Sequence, residues 1–157
     1  MEQRINASEK GQGALKAMLG ISAYLAKSSI EKNLLQLIEY RVSQINGCAY
    51  CLDMHSKDLR YGGETEQRIY MISGWREADL YTDRERAALE WAESVTLLND
   101  GHVPDEVYEK VRKEFSEEEL IDLTLAVASI NSWNRLNIAF RTTAGSYQPG
   151  QWSAVAN

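Results

Sequence analysis

The sequence lacks long apolar runs and clusters of basic residues, and each absence excludes a class of protein. No stretch approaches the roughly 18 apolar residues that a membrane-spanning helix needs, and the N-terminal segment lacks the apolar core of a signal peptide. The net charge is −6, from 17 basic and 23 acidic residues, which argues against nucleic acid and anionic membranes as partners. We therefore expect a cytoplasmic protein that binds neither nucleic acid nor membrane.

Proline is also scarce, and no alternating strand pattern of useful length is present. Pro104 and Pro149 are the only prolines, and helical periodicity dominates the chain. A length of 157 residues is typical of one domain. The sequence therefore predicts one all-α domain over residues 1–157, with about seven helices and an irregular C-terminal tail over residues 142–157. The predicted helices span about 8–27, 30–45, 48–61, 64–74, 82–98, a segment opened by Pro104, and 116–141.

Local signals mark several of these helix ends. The segments Thr-Asp-Arg-Glu at residues 82–85 and Ser-Glu-Glu-Glu at residues 116–119 are capping boxes, which begin helices. The pair Asn46-Gly47 predicts the end of a helix, because glycine readily adopts the left-handed backbone conformation found at helix C-termini. The last helix is apolar on most sides, so we expect it to be central.

The two cysteines lie together, and they are the most informative feature of the chain. Cys48 and Cys51 form a C-x-x-C motif, and His55 follows four residues after the second cysteine. On a helix these positions fall at i, i+3 and i+7, so the two sulfurs and the imidazole lie along one face of the helix. Cys48 begins the helix, where unpaired N–H groups favour a thiolate, and His55 is placed to take the Cys51 proton. This arrangement indicates thiol redox chemistry, in which Cys48 attacks a sulfenic acid on Cys51.

Three other interpretations of these residues remain open at this point. The cysteines could be a buried apolar pair beside a core histidine. A zinc site needs four ligands, whereas Cys48, Cys51 and His55 supply three and the only other histidine is His102. A thioredoxin-like motif would need a βαβ context, and the strands are missing. We expect neither a metal nor a cofactor.

The same segment also resembles a known family. Residues 43–51 read Ser-Gln-Ile-Asn-Gly-Cys-Ala-Tyr-Cys and are followed by Asp53, Met54 and His55, which is similar to the alkylhydroperoxidase D-like branch of the carboxymuconolactone decarboxylase superfamily. The resemblance covers roughly residues 30–141. Supporting matches read Gly-Glu-Thr-Glu-Gln-Arg at 63–68, Trp-Arg-Glu at 75–77 and Ile-Asn-Ser-Trp-Asn-Arg at 130–135.

The resemblance implies a fold, an assembly and a reaction. It implies an all-helical fold, a trimer or hexamer, and reduction of peroxides by the cysteine pair. Carried over to this sequence, Cys51 meets the peroxide, Cys48 resolves the product, and His55 relays the proton. The decarboxylases of the family lack the cysteine pair, so the resemblance does not imply decarboxylation.

One family position differs in this sequence. The family pattern places a glutamate twelve residues before the first cysteine, and that position here is Gln36. An amide can orient an imidazole but cannot carry its proton. Glu39 lies on the same side of the second helix, so we predict that Glu39 replaces the missing carboxylate. The alternative is that Glu39 is solvated on the surface.

Polar and aromatic residues near the C-terminus suggest two further roles. Three polar residues interrupt the apolar last helix: Asn131, Asn134 and Arg135. One interpretation is that they shape the pocket or hold a carboxylate such as that of Glu39. The alternative is that they satisfy loop carbonyls. Tyr147 and Trp152 lie in the irregular tail, and we predict that the tail latches onto a neighbouring subunit. The alternative is a tail that folds back on its own chain.

Together these features predict a cofactor-free thiol peroxidase. The expected substrate is a small alkyl hydroperoxide, and the expected reductant is a dithiol or a protein of unknown identity. The residues expected to act are Cys51, Cys48, His55, Glu39 and Gln36. One alternative is a non-catalytic helical module, oligomeric, with a redox-sensing or structural cysteine pair. Another is a protein disulfide reductase, because the same dithiol exchanges disulfides.

Overall fold

The structure is a computed structural model that describes residues 2–98 and 102–151. This part of the chain forms eight α-helices and one short 3-10 helix, and it contains no strand. The all-α prediction is confirmed. The elements are α1 (Ala7–Lys10), α2 (Gln12–Leu25), α3 (Lys32–Asn46), α4 (Ala49–Tyr61), α5 (Glu66–Met71), a 3-10 helix (Ile72–Gly74), α6 (Asp83–Thr96), α7 (Asp105–Glu114) and α8 (Glu117–Phe140).

The described residues form eight α-helices where the sequence predicts about seven, because the first predicted helix is broken. Gly11 separates α1 from α2, with φ −115° and ψ 28°. A Cβ atom at this position would lie 2.9 Å from the carbonyl oxygen of Ala7. The close turn therefore requires a glycine, and the chain starts a new helix at Gln12.

Other helix ends follow the local signals in the sequence. Both capping boxes are present: the Thr82 and Ser116 hydroxyls accept from the backbone N–H groups of Glu85 and Glu119, whose carboxylates accept in return. Gly47 ends α3 in the left-handed conformation, with φ 69°. This turn redirects the chain within two residues, so α4 begins directly beside the end of α3.

The core lies between α3, α6 and α8, which contact one another. Its fully buried side chains include Leu37, Ile38, Val42, Leu89, Leu123 and Val127. Burial of a large apolar side chain contributes roughly 1.5–3 kcal/mol, so this layer holds the three helices in fixed positions. Helix α8 also contacts α2, α4 and α7, which agrees with its predicted central place. Helix α4 packs against α3 and α8, and it carries both the second cysteine and the histidine.

The described part of the C-terminal tail has no helix and packs against α4 of its own chain. The N–H of Gly145 donates to Asp53 at 2.9 Å, and Lys57 Nζ donates to the carbonyls of Gly145 and Tyr147. The Tyr147 side chain is buried, and its hydroxyl donates to Asp58 at 2.9 Å. These contacts favour the alternative in which the tail folds back on its own chain as far as Tyr147, and contact of the tail with a neighbouring subunit stays a prediction. Trp152, the other aromatic residue of that prediction, lies outside the described residues.

Across residues 2–98 and 102–151, none of the helices has both the length and the apolar character needed to cross a membrane.

Candidate active site

The two cysteines are joined as a disulfide at the start of α4. The S–S distance is 2.12 Å, and both residues are 1% exposed. Cys48 is the N-cap of the helix rather than a residue of its first turn, and its Sγ accepts the backbone N–H of Cys51 at 3.3 Å. The cap places the first sulfur at the positive end of the helix, where a negative charge is stabilised.

A polar network fixes the end of α3, from which the cysteines follow. The amide of Asn46 donates to Asn134 at 2.8 Å and to Asn131 at 2.9 Å, and Asn134 donates to Ser43 at 3.0 Å. Ser43 and Asn134 are both buried. These bonds tie α3 to α8 one residue before the Gly47 turn and so hold the start of α4 in place.

This network decides the roles predicted for the polar residues of α8. Asn131 and Asn134 bond the end of α3, and Arg135 bonds the carbonyl and side-chain oxygens of Asn131 at 2.9 Å. In the bonds observed they neither hold the carboxyl of Glu39 nor satisfy loop carbonyls. Asn131 and Asn134 instead link α8 to α3, Arg135 bonds Asn131 within α8, and a role in shaping the pocket stays a prediction.

His55 lies one helical turn beyond Cys51 and is 4% exposed. Its Nδ1 atom is 3.3 Å from Gln36 Oε1 and 3.5 Å from Glu39 Oε2. Its Nε2 atom is buried and has no hydrogen-bond partner. Because an amide oxygen only accepts, the hydrogen bond to Gln36 forms in the tautomer that carries its proton on Nδ1. Nε2 then holds a free lone pair, which is the state of a base.

Burial keeps both titratable groups of this site uncharged. Burial, together with the negative charge of Asp58, raises the pKa of Glu39 from 4.5 to about 8. Burial also lowers the pKa of His55 from 6.5 to about 4. The Glu39 side chain nevertheless keeps 23% of its surface exposed, whereas that of His55 keeps 5%. Glu39 can therefore exchange a proton with solvent, whereas His55 is almost closed off from it.

The structure brings all five predicted site residues to adjoining turns of α3 and α4. Gln36 and Glu39 project from α3 toward the imidazole of His55, and Glu39 is partly buried rather than fully solvated. The catalytic roles of these five residues stay predictions. Among the residues that the structure describes, no group of three or more His, Cys, Asp or Glu is arranged to hold a metal ion.

Asn137 belongs to the site but was not identified from the sequence. Its Nδ2 atom lies 3.6 Å from Cys51 Sγ, within hydrogen-bond distance for sulfur. The two residues are separated by 86 positions, so no local spacing links them. The only signal available was another asparagine on an apolar helix, three residues after Asn134.

Comparison with known proteins identifies related sequences and structures. Residues 12–94 match the carboxymuconolactone decarboxylase family. The uncharacterized protein YdfG of Bacillus subtilis is 47% identical over 146 residues, which cover 93% of this chain and 99% of YdfG. The crystal structure of a protein of unknown function from Agrobacterium tumefaciens, considered a candidate AhpD antioxidant defence protein, is 40% identical with a TM-score of 0.89, and the match covers 93% of this chain and all of that one.

A more distant structure shares the fold alone. The debrominase Bmp8, solved as a variant in complex with 2,3,4-tribromopyrrole, is 22% identical with a TM-score of 0.79, and the match covers 88% of this chain and 74% of that one. The family match, YdfG and the A. tumefaciens structure together define the relationship. The chain belongs to the carboxymuconolactone decarboxylase family, in its alkylhydroperoxidase D-like branch.

Proposed function

We propose that this protein is a thiol peroxidase that reduces small hydroperoxides through Cys51 and Cys48. The observation that carries the proposal is the buried imidazole of His55, whose Nε2 has no partner and which lies one helical turn from Cys51. An unpartnered buried nitrogen costs about 1–3 kcal/mol of stability. A fold retains such a group where a reacting proton has to be received.

In the first step, Cys51 gives its thiol proton to His55 Nε2, and the thiolate attacks the terminal oxygen of the hydroperoxide. The O–O bond breaks and an S–O bond forms. The leaving alkoxide takes the proton back from His55, so the products are an alcohol and a sulfenic acid on Cys51.

In the second step, Cys48 Sγ attacks Cys51 Sγ. An S–S bond forms, the S–O bond breaks, and hydroxide leaves with the Cys48 proton as water. The product is the disulfide seen in the structure. A dithiol reductant then supplies two electrons and two protons, which restore both thiols.

Glu39 makes His55 a competent base in this scheme. With a pKa lowered to about 4, His55 alone is too weak to take a proton from a thiol. When Glu39 releases its proton to solvent, a carboxylate lies 3.5 Å from Nδ1 and stabilises the imidazolium. Gln36 orients the ring by accepting from Nδ1 but cannot supply that charge.

The burial of the sulfurs favours a small substrate over a protein. Both cysteines are 1% exposed, so a disulfide on the surface of another folded protein cannot reach them without opening the site. A small hydroperoxide needs only a narrow path. A reducing compartment such as the cytoplasm would keep the pair ready for the next cycle.

We also propose that the chain works as a homo-oligomer, a trimer or a hexamer. A groove of about 610 Å³, lined mostly by apolar residues of α6, α7 and α8, is open on the surface, and Ile121 beside it is 68% exposed. Such a surface is typical of an interface. Light scattering measures the assembly, and a monomer in solution rejects this part of the proposal.

The function is tested by thiol titration after addition of hydroperoxide to the reduced protein. We expect loss of two thiols per chain and their recovery with a dithiol reductant. In a Cys48→Ser variant the peroxide should leave a sulfenic acid on Cys51, and a Cys51→Ser variant should not react. If both thiols stay titratable in the folded protein but react normally in denaturant, the peroxidase proposal is wrong.

A further inference from the structure

The side-chain amide of Asn137 is held in a fixed orientation at the end of α8. Its Nδ2 donates one hydrogen to the carbonyl of Trp133 at 3.0 Å, and the same atom lies 3.6 Å from Cys51 Sγ. The bond to Trp133 fixes the plane of the amide, so its second hydrogen is available to the sulfur. The backbone is fixed as well, because the Asn137 carbonyl accepts the N–H groups of Arg141 and Thr142.

The two sulfurs therefore receive different kinds of donor. Cys48 Sγ accepts the backbone N–H of Cys51, a donor that remains whatever side chains surround it. Cys51 Sγ accepts from the side chain of Asn137, a donor that belongs to another helix and can be removed by mutation. A disulfide sulfur carries little charge and is a weak acceptor, whereas a thiolate is a strong one. The contact thus strengthens when Cys51 is ionised.

We propose that Asn137 is a catalytic residue that stabilises the negative charge on Cys51 Sγ and so directs the peroxide to Cys51 rather than to Cys48. The inference rests on the proposed function. The amide acts as a preorganised donor aimed at the atom where charge is present before attack and lost after it. Its contribution lies in the ionised state of the sulfur and not in holding the fold together.

The experiment measures how fast iodoacetamide alkylates Cys51 at different pH values in reduced Cys48→Ser protein, with mass spectrometry to locate the label. Asn137→Leu removes the donor, and we expect the midpoint of the rate profile to rise by about one pH unit, which is about tenfold slower alkylation below the midpoint. Asn137→Asp keeps the shape of the side chain but replaces the donor with a carboxylate. We expect its midpoint to rise further than that of Asn137→Leu.

Two controls separate this effect from a general loosening of the site. In the Cys51→Ser background, the profile of Cys48 should not move when Asn137 is changed. Ser132→Ala is the matched variant, because Ser132 lies on the same helix, also donates to the carbonyl four residues before it, at Ala128, and is not part of the network that ties α3 to α8. It does not contact a sulfur, so the Cys51 profile should stay as in the parent.

The proposal is overturned if the Cys51 midpoint is the same with Asn137, Leu or Asp at this position. It is equally overturned if Asn137→Asp shifts the midpoint no more than Asn137→Leu, or if Cys48 shifts as much as Cys51, because either result indicates a structural effect. The assay uses no peroxide. A protein without peroxidase activity would therefore reject the proposed function, while the comparison of midpoints would still decide the role of Asn137.

Discussion

Two largely buried glutamates of this protein lie in opposite electrostatic environments. Glu93 on α6 accepts from Arg41 at 2.7 Å, from Trp75 at 2.9 Å and from Arg76 at 2.6 Å. Glu39 on α3 contacts the Nδ1 atom of His55 at 3.5 Å, a neighbour that is itself uncharged. Helix α3 links the two sites, because Arg41, which bonds Glu93, lies on that helix two residues after Glu39.

The number of donors decides the charge of each carboxyl group. Burial alone would raise the pKa of Glu93, but hydrogen bonds from Trp75, Arg76 and Arg41 hold it below its ordinary value. Burial raises the pKa of Glu39 to about 8, and nothing comparable opposes it. A buried carboxylate with three donors anchors helices and stays ionised. A buried carboxyl group with one weak neighbour keeps its proton and can transfer it.

The largest expected effect is the loss of stability in Glu93→Gln. The substitution leaves Arg41, whose side chain is 17% exposed, without a counter-charge. Breaking a buried ion pair typically costs 3–5 kcal/mol, and because Arg76 is half exposed we expect about 3 kcal/mol here. Urea unfolding followed by circular dichroism measures it. Peroxide turnover per folded molecule should not change, and a stability loss below about 1 kcal/mol would show that Glu93 is no anchor.

Glu39→Gln should have the opposite effect on stability, and the effect should depend on pH. The folded carboxyl holds its proton up to a pKa of about 8, whereas the unfolded one releases it near 4.5. Between these values the unfolded state binds fewer protons, so the wild type loses stability as the pH rises. We expect the variant to equal the wild type near pH 4.5 and to exceed it by about 2 kcal/mol near pH 8, a figure reduced for the partial exposure of Glu39. Unfolding at a series of pH values measures the difference.

The same substitution should reduce the rate of reaction with peroxide. Without the carboxylate, the imidazolium of His55 is no longer stabilised, and we expect about tenfold slower oxidation of Cys51 near pH 8. Gln36→Glu is the reciprocal variant, since it places a carboxyl group at the other neighbour of Nδ1, and it should raise the rate. Equal rates for the wild type and Glu39→Gln would make Glu39 an ordinary surface residue, despite its place beside His55.

This contrast also marks what the sequence could predict. The stripe of Cys48, Cys51 and His55 lies within eight residues of one helix, so helical geometry alone places the three together. Glu39 was identified because it lies on the same side of α3 as Gln36. The first inference needs only the geometry of a single helix. The second also needed the family resemblance, which marked the position of Gln36.

The remaining features depend on contacts between distant parts of the chain. Glu93 meets Arg41 across 52 positions, and Asn137 meets Cys51 across 86. No periodicity indicates which of many glutamates or asparagines will make such a contact. The tail shows the same limit: an aromatic residue in an irregular segment was expected to be buried, and Tyr147 is buried, but only the packing shows that α4 of the same chain covers it.

The smallest expected effect concerns the link between this tail and Glu39. The Tyr147 hydroxyl donates to Asp58, whose negative charge is the second cause of the raised pKa of Glu39. Tyr147→Phe removes that donor and leaves the ring in place, so we expect about 1 kcal/mol less stability by urea unfolding. Tyr61→Phe is the matched control, because Tyr61 ends the same helix and is 80% exposed. Tyr147→Phe should also affect Asp58. Burial raises the pKa of Asp58 and the hydrogen bond from Tyr147 lowers it, so loss of the hydroxyl should raise that pKa further and leave Asp58 less ionised. With less negative charge beside it, Glu39 should produce a slightly weaker pH dependence of stability. If both variants match the wild type in stability and in its pH dependence, the ring alone holds the tail, and desolvation alone accounts for the proton on Glu39.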